Sequence, residues 1–148
     1  MPGNPQPIFS RVGDVSANAG VVSTAALGAI LSITAGDYNG TNGNNQIIFT
    51  SDTTNGSFIQ KLKFKALGTN VATVARIYVN NGGTKTVANN NILIGEVSLP
   101  ATTATQTAST VDIEYPLNFA LNPGFTILAG LGTGVAAGWA CSPVGGKY

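Results

Sequence analysis

Six carboxylates and no histidine bound the chemistry open to this 148-residue chain. The acids are Asp14, Asp37, Asp52, Glu96, Asp112 and Glu114. Asp112 and Glu114 stand two apart, so in a strand they share one face. Two acids on one face are what a glycosidase needs to flank its scissile bond. The same spacing describes a solvated strand face, and that is the reading expected here. General acid–base work usually recruits histidine or a carboxylate pair tuned in a cleft. An enzyme is therefore the least expected class.

Other chemistry is equally sparse. The single cysteine, Cys141, allows no intramolecular disulfide, and without histidine no Cys/His zinc cluster can form. It reads as a small apolar residue in or near a strand. Asp37 and the asparagines after it faintly resemble a calcium loop but lack the spacing and closing glutamate of an EF-hand. Gly132-Thr133-Gly134 and Gly145-Gly146 lack the lysine and helix of a phosphate loop, so they read as turns. No cofactor and no metal is expected. Trp139, Tyr38, Tyr78 and Tyr148 are candidates for stacking on sugars, although Trp139 sits in an apolar strand and is expected in the core. Lys61, Lys63 and Lys65 make a basic stripe suited to an acidic partner, to discouraging edge pairing, or simply to solvent.

Charge narrows the partners. Only 9% of residues are charged and the net charge is +1, against roughly 25% charged in an ordinary soluble domain. Thr, Asn, Ser and Gly must cover the surface instead. A net charge near zero favours association over mutual repulsion, and it fits poorly with nucleic-acid binding, which needs a basic footprint. The apolar run Val21 to Ile33 is too short to span a bilayer as a helix, which takes roughly 20 apolar residues. Ser23, Thr24, Gly28 and Ser32 interrupt it. It reads as a strand or two rather than a cleaved signal, and a start at Met1 agrees with an unprocessed chain.

The elements that would position these residues read as strands. Lys61, Leu62, Lys63, Phe64 and Lys65 alternate strictly, the period of a half-buried strand, with Leu62, Phe64 and Ala66 turned to a core. After Gly68-Thr69-Asn70 the alternation resumes, with Ala75, Ile77 and Val79 on one side and Val74, Arg76 and Tyr78 on the other. Val111, Ile113 and Tyr115 alternate with Asp112 and Glu114, and Gln46 to Thr50, Ile92 to Leu99, Phe125 to Leu131 and Ala137 to Val144 also read as strands. Asn55-Gly56 is a hairpin signal. Pro100 and Pro116 are expected to stop strands, and Asn122-Pro123-Gly124 to turn the chain. Gly36 to Asn45 reads as a surface loop, and Ala101 to Thr110 as an exposed connection. No segment shows a capped helix with a 3.6-residue period. The expectation is an all-β, single-domain antiparallel β-sandwich of eight or nine strands over residues 13–148, jelly-roll-like. It is preceded by an extended Pro-rich N-terminal arm over residues 1–12.

Several runs carry a resemblance: Ala66 to Gly82, Gly95 to Thr103, Val135 to Trp139 and Val144 to Tyr148. The chain over roughly residues 58 to 148 resembles small virion proteins of tailed bacteriophages and prophages, most closely capsid decoration (cement) proteins. That resemblance implies a β-rich body, often trimeric, bound to the major capsid protein on the outer surface of the expanded head and made in the host cytoplasm. It supplies no catalytic motif. The expected contacts are the arm, with Pro7, Ile8, Phe9 and Arg11, and the stripe of Lys61, Lys63 and Lys65. A glycan-binding head-fibre or tail module and a small jelly-roll capsid subunit are the alternatives.

Overall fold

The computed structural model describes residues 28–148. The arm over residues 1–12, with Pro7, Ile8, Phe9 and Arg11, lies outside the described residues, as does the first part of the Val21 to Ile33 run. The described residues form eight strands: β1 (Ala29–Leu31), β2 (Gln46–Thr50), β3 (Ser57–Ala66), β4 (Thr73–Asn80), β5 (Asn91–Leu99), β6 (Asp112–Leu121), β7 (Thr126–Leu131) and β8 (Trp139–Lys147). The one helical piece among them is a 3-10 turn, Ala88–Asn90.

The strands make two four-stranded sheets, ordered β1-β8-β3-β6 and β2-β7-β4-β5, and every ladder is antiparallel. The chain doubles back at the β4–β5 connection. Moving outward from there, β4 pairs β5, β3 pairs β6, β2 pairs β7 and β1 pairs β8. The doubled ribbon then winds on itself, so that β8 also lies against β3 and β7 against β4. The result is an all-β sandwich of two packed sheets.

Alternation explains the core. On β3, Ile59, Leu62, Phe64 and Ala66 turn inward and are buried, while Gln60 and Lys63 stay exposed. Phe49, Ile77, Ile127, Leu131, Trp139 and Cys141 meet them from the other strands, each fully buried. Such a core dominates the driving force, at about 25 cal/mol per Å² of apolar surface removed from water.

Two turn signals bend the chain where expected but join different partners. Asn55-Gly56 does not close a hairpin: β2 and β3 lie in opposite sheets. Gly68-Thr69-Asn70 likewise carries the chain from β3 across to β4 in the other sheet. The reason is core burial. Both strands of each pair carry large inward apolar residues, and placing them in facing sheets lets each cover the other. Nor does Pro116 stop a strand, since β6 runs on to Leu121. β6 is an edge strand, where a missing N–H is tolerated. The β3–β6 register shifts between Ile59 and Lys61, and Asn118 adopts a φ of 53°, so the edge is irregular there.

Candidate interface

The lysine stripe projects from the outer face of β3, between β6 and β8. Register sets its partners: Lys63 lies opposite Glu114, and Lys65 opposite Asp112. Lys61 Nζ donates to both carboxylate oxygens of Glu114, each at 2.9 Å. Lys65 Nζ sits 3.2 Å from Asp112 Oδ1 and donates to the Thr110 carbonyl at 2.6 Å. Lys63 is exposed and makes no ion pair among the described residues. Three lysines facing two carboxylates thus leave one unbalanced positive charge. Solvent-exposed pairs of this kind contribute about 0–1 kcal/mol each, so they order the face more than they stabilise it.

The same geometry places the carboxylate pair. Asp112 and Glu114 share one strand face, as their spacing predicts, and both are largely exposed and ion-paired. Cys141 is fully buried beside Phe64 on β3, and burial pushes its thiol pKa well above the ordinary value, so it stays protonated. Trp139 is fully buried and Tyr78 is buried, which removes both as stacking platforms; Tyr38 is 66% exposed.

A second cluster was not legible in the sequence. Arg76, on the outer face of β4, donates from Nε to Glu96 Oε1 at 2.8 Å and from Nη1 to the Gly36 carbonyl. Its guanidinium also lies 4.1 Å from the centroid of the Tyr38 ring, a cation–π contact. Burial opposes the guanidinium charge, but Glu96 and Tyr38 outweigh it and hold the pKa above its ordinary value. Tyr78 donates its hydroxyl to the Asp37 carbonyl. Lys85 Nζ donates to the Gly43 and Asn45 carbonyls, each at 2.7 Å. The loop over residues 36–45 is thereby fastened across the outer face of its sheet. Asp37 is spent inside that loop, accepting from the Thr41 amide at 2.9 Å and hydroxyl at 2.7 Å.

Tyr78 makes the latch pH-sensitive. Burial, and then the Asp37 carboxylate, push its pKa from 10.0 to about 12. The folded state therefore favours the neutral phenol. Its contribution is complete below about pH 10 and declines as pH rises towards 12. In urea titrations at successive pH values, the wild-type midpoint is expected to fall over that window more steeply than that of Tyr78→Phe. Parallel curves would remove the hydroxyl from the buried contact.

Compared with protein-family models, with curated proteins and with solved structures, the chain matches none.

Proposed function

We propose that this chain is a bacteriophage capsid decoration (cement) protein, which binds the outer surface of the expanded head and stabilises it through non-covalent contacts. The observation that carries the reading is a two-sheet body with only 9% charged residues, those on the sheet faces largely paired with one another, and a net charge of +1. Such a surface sits among close neighbours without strong repulsion. The strand order β1-β8-β3-β6 over β2-β7-β4-β5 supports the finer reading of the fold as a jelly roll, in which a doubled ribbon is rolled into two facing sheets. The sequence runs resembling small phage virion proteins support the same assignment.

In this reading the partners are the major capsid protein and further copies of the chain, as a homotrimer, on the outside of the virion. The residue 1–12 arm and the β3 face, with Lys63 as its unbalanced charge, make the shell contact. Many copies on a lattice multiply weak contacts by avidity. The test is occupancy of purified expanded heads by added protein, read by co-sedimentation. Deleting residues 2–11 is expected to lower occupancy by about tenfold or more at a fixed concentration, the loss of a few buried apolar side chains. Equal occupancy by the truncated protein would discard the arm as a contact.

One observation favours a second reading, a glycan-binding module of the particle. The Tyr38 ring is exposed yet held in place by Arg76, as a sugar-stacking platform needs. A glycan array that lights up with the wild type and goes dark with Tyr38→Ala would move the assignment there.

A further inference from the structure

The two long edges of the sandwich differ. At the β1–β2 edge the inward residues Leu31, Ile48 and Phe49 are buried. At the β5–β6 edge burial is incomplete: Val97, Leu99 and Leu121 are buried, but the other inward residues are not. On β6, Ile113, Tyr115 and Phe119 lie directly beside Phe64, Leu62 and Ile59 of β3. Those β3 neighbours are fully buried, whereas every inward residue of β6 before Leu121 is only half-buried. Across the gap, Ile92 lies opposite Val79, which packs on the core, so Ile92 shares the inward face. It is nevertheless 64% exposed, and Ile94 is half-buried. The Tyr115 hydroxyl reaches the Ile94 carbonyl at 3.5 Å and is the single hydrogen bond drawn between these two strands.

We propose that this open seam is where copies of the chain meet, the seam of one copy being covered by the surface of the next. The inference deepens the self-association within the proposed function by naming its face. Size is the first argument. The half-buried stretch of β6 from Ile113 to Phe119 and the facing sheets give a strip about 23 Å long and 10 Å wide, or about 230 Å². With a polar rim it makes the apolar centre of a standard interface of about 800 Å² per partner.

Charge is the second. The charged groups on the two bordering strands, Asp112 and Glu114 of β6 and Glu96 of β5, belong to the outer faces and are already paired with Lys65, Lys61 and Arg76. The seam therefore offers no counter-charge, and a charged partner would leave its own ions desolvated and unpaired. The connection bordering it, residues 101–111, is polar and uncharged, which suits an interface rim. A surface apolar at its centre, Thr-rich at its margin and poor in charge is complementary to this chain's own. Finally, Pro116 and the φ of 53° at Asn118 bar a regular added strand at the β6 edge. On the β6 side the cover is therefore side-chain packing by a folded body.

Sedimentation equilibrium of the full chain tests this. The wild type is expected to associate at micromolar concentrations. Ile92→Asp, at a position exposed enough for the fold to tolerate it, is expected to weaken association by about 100-fold, as loss of an apolar anchor does. Ile33→Asp, at another exposed position outside the seam, is expected to associate like the wild type, with unchanged circular dichroism for both variants. A monomeric wild type, or an Ile92→Asp protein that stays associated, overturns the inference. Association is read on free protein. An Ile92→Asp protein that stays associated while the wild type still decorates heads therefore overturns the seam alone. Failure of the associated wild type to decorate heads overturns the decoration reading alone.

Discussion

Trp139→Ala is expected to lower the unfolding free energy by about 3–5 kcal/mol, the range for truncating a buried large aromatic. Trp139 is the largest fully buried side chain described and opens β8 at the centre of its sheet. It lies between Leu31 of β1 and Ala66 of β3. Alanine there leaves a cavity that two flanking ladders keep from collapsing. Native domains have a total stability of about 5–15 kcal/mol, so the loss is a large fraction of the total. The indole Nε1 has no hydrogen-bond partner, which makes Trp139→Phe the informative companion. It keeps most of the packing and removes a buried unpaired donor, so its cost is expected to be under half that of alanine. Urea unfolding followed by far-ultraviolet circular dichroism measures both, because each variant lacks the sole tryptophan as a fluorophore. A loss below about 1 kcal/mol for Trp139→Ala would contradict a packed site.

Asn70→Ala is expected to cost about 3 kcal/mol, from buried groups left without partners. The Asn70 side chain, 4% exposed, accepts the Ala137 and Gly138 amides at Oδ1, both at 2.9 Å. Its Nδ2 donates to the Gly138 carbonyl at 3.0 Å. Its backbone exchanges hydrogen bonds with Thr102, and the Thr102 hydroxyl donates to the Gly68 carbonyl at 2.7 Å. Asn70 thus joins three segments: its side chain ties the β3–β4 crossover to the turn into β8, and its backbone ties the crossover to the β5–β6 connection. At about 2–4 °C per kcal/mol for a chain of this length, the melting temperature is expected to drop by roughly 6–12 °C. Asn70→Asp keeps an acceptor for both amides but sets an oxygen against the Gly138 carbonyl, so its melting temperature is expected between the two. Hydrogen exchange at Ala137 and Gly138 gives a local reading: protection should fall in Asn70→Ala before the β3–β8 ladder loosens. Unchanged exchange at those two amides would mean the knot is not held by this side chain.

Trp139 and Asn70 mark how far the sequence could be read. Trp139 stood in an apolar run, and its place in the core followed from local pattern alone. Asn70 looked like an ordinary turn residue after glycine and threonine. Nothing near it in the chain announces partners at Thr102, Ala137 and Gly138. The same holds for Lys61 with Glu114 and for Arg76 with Glu96 and Tyr38. In each case the residue types were visible, and the pairing was not, because it depends on which strands become neighbours. Asn55-Gly56 teaches this most directly: its turn chemistry was right and the hairpin inferred from it was wrong. Pro116 shows the converse, since its missing N–H forbids a central strand but is harmless on an edge, and edge position is a property of the sheet.

Period-two alternation, Gly/Asn punctuation and the scarcity of charge were enough to settle an all-β sandwich with a net charge near zero. These are local and compositional properties, written within a few residues or summed over the chain. Topology decided the rest: the assignment of strands to two sheets, the pairing of two of the three face lysines, the fastened 36–45 loop, and one edge closed while the other stays more open. Those features arise from contacts between residues distant in sequence. They are selected by burying the core as a whole, and no single window of sequence carries that selection.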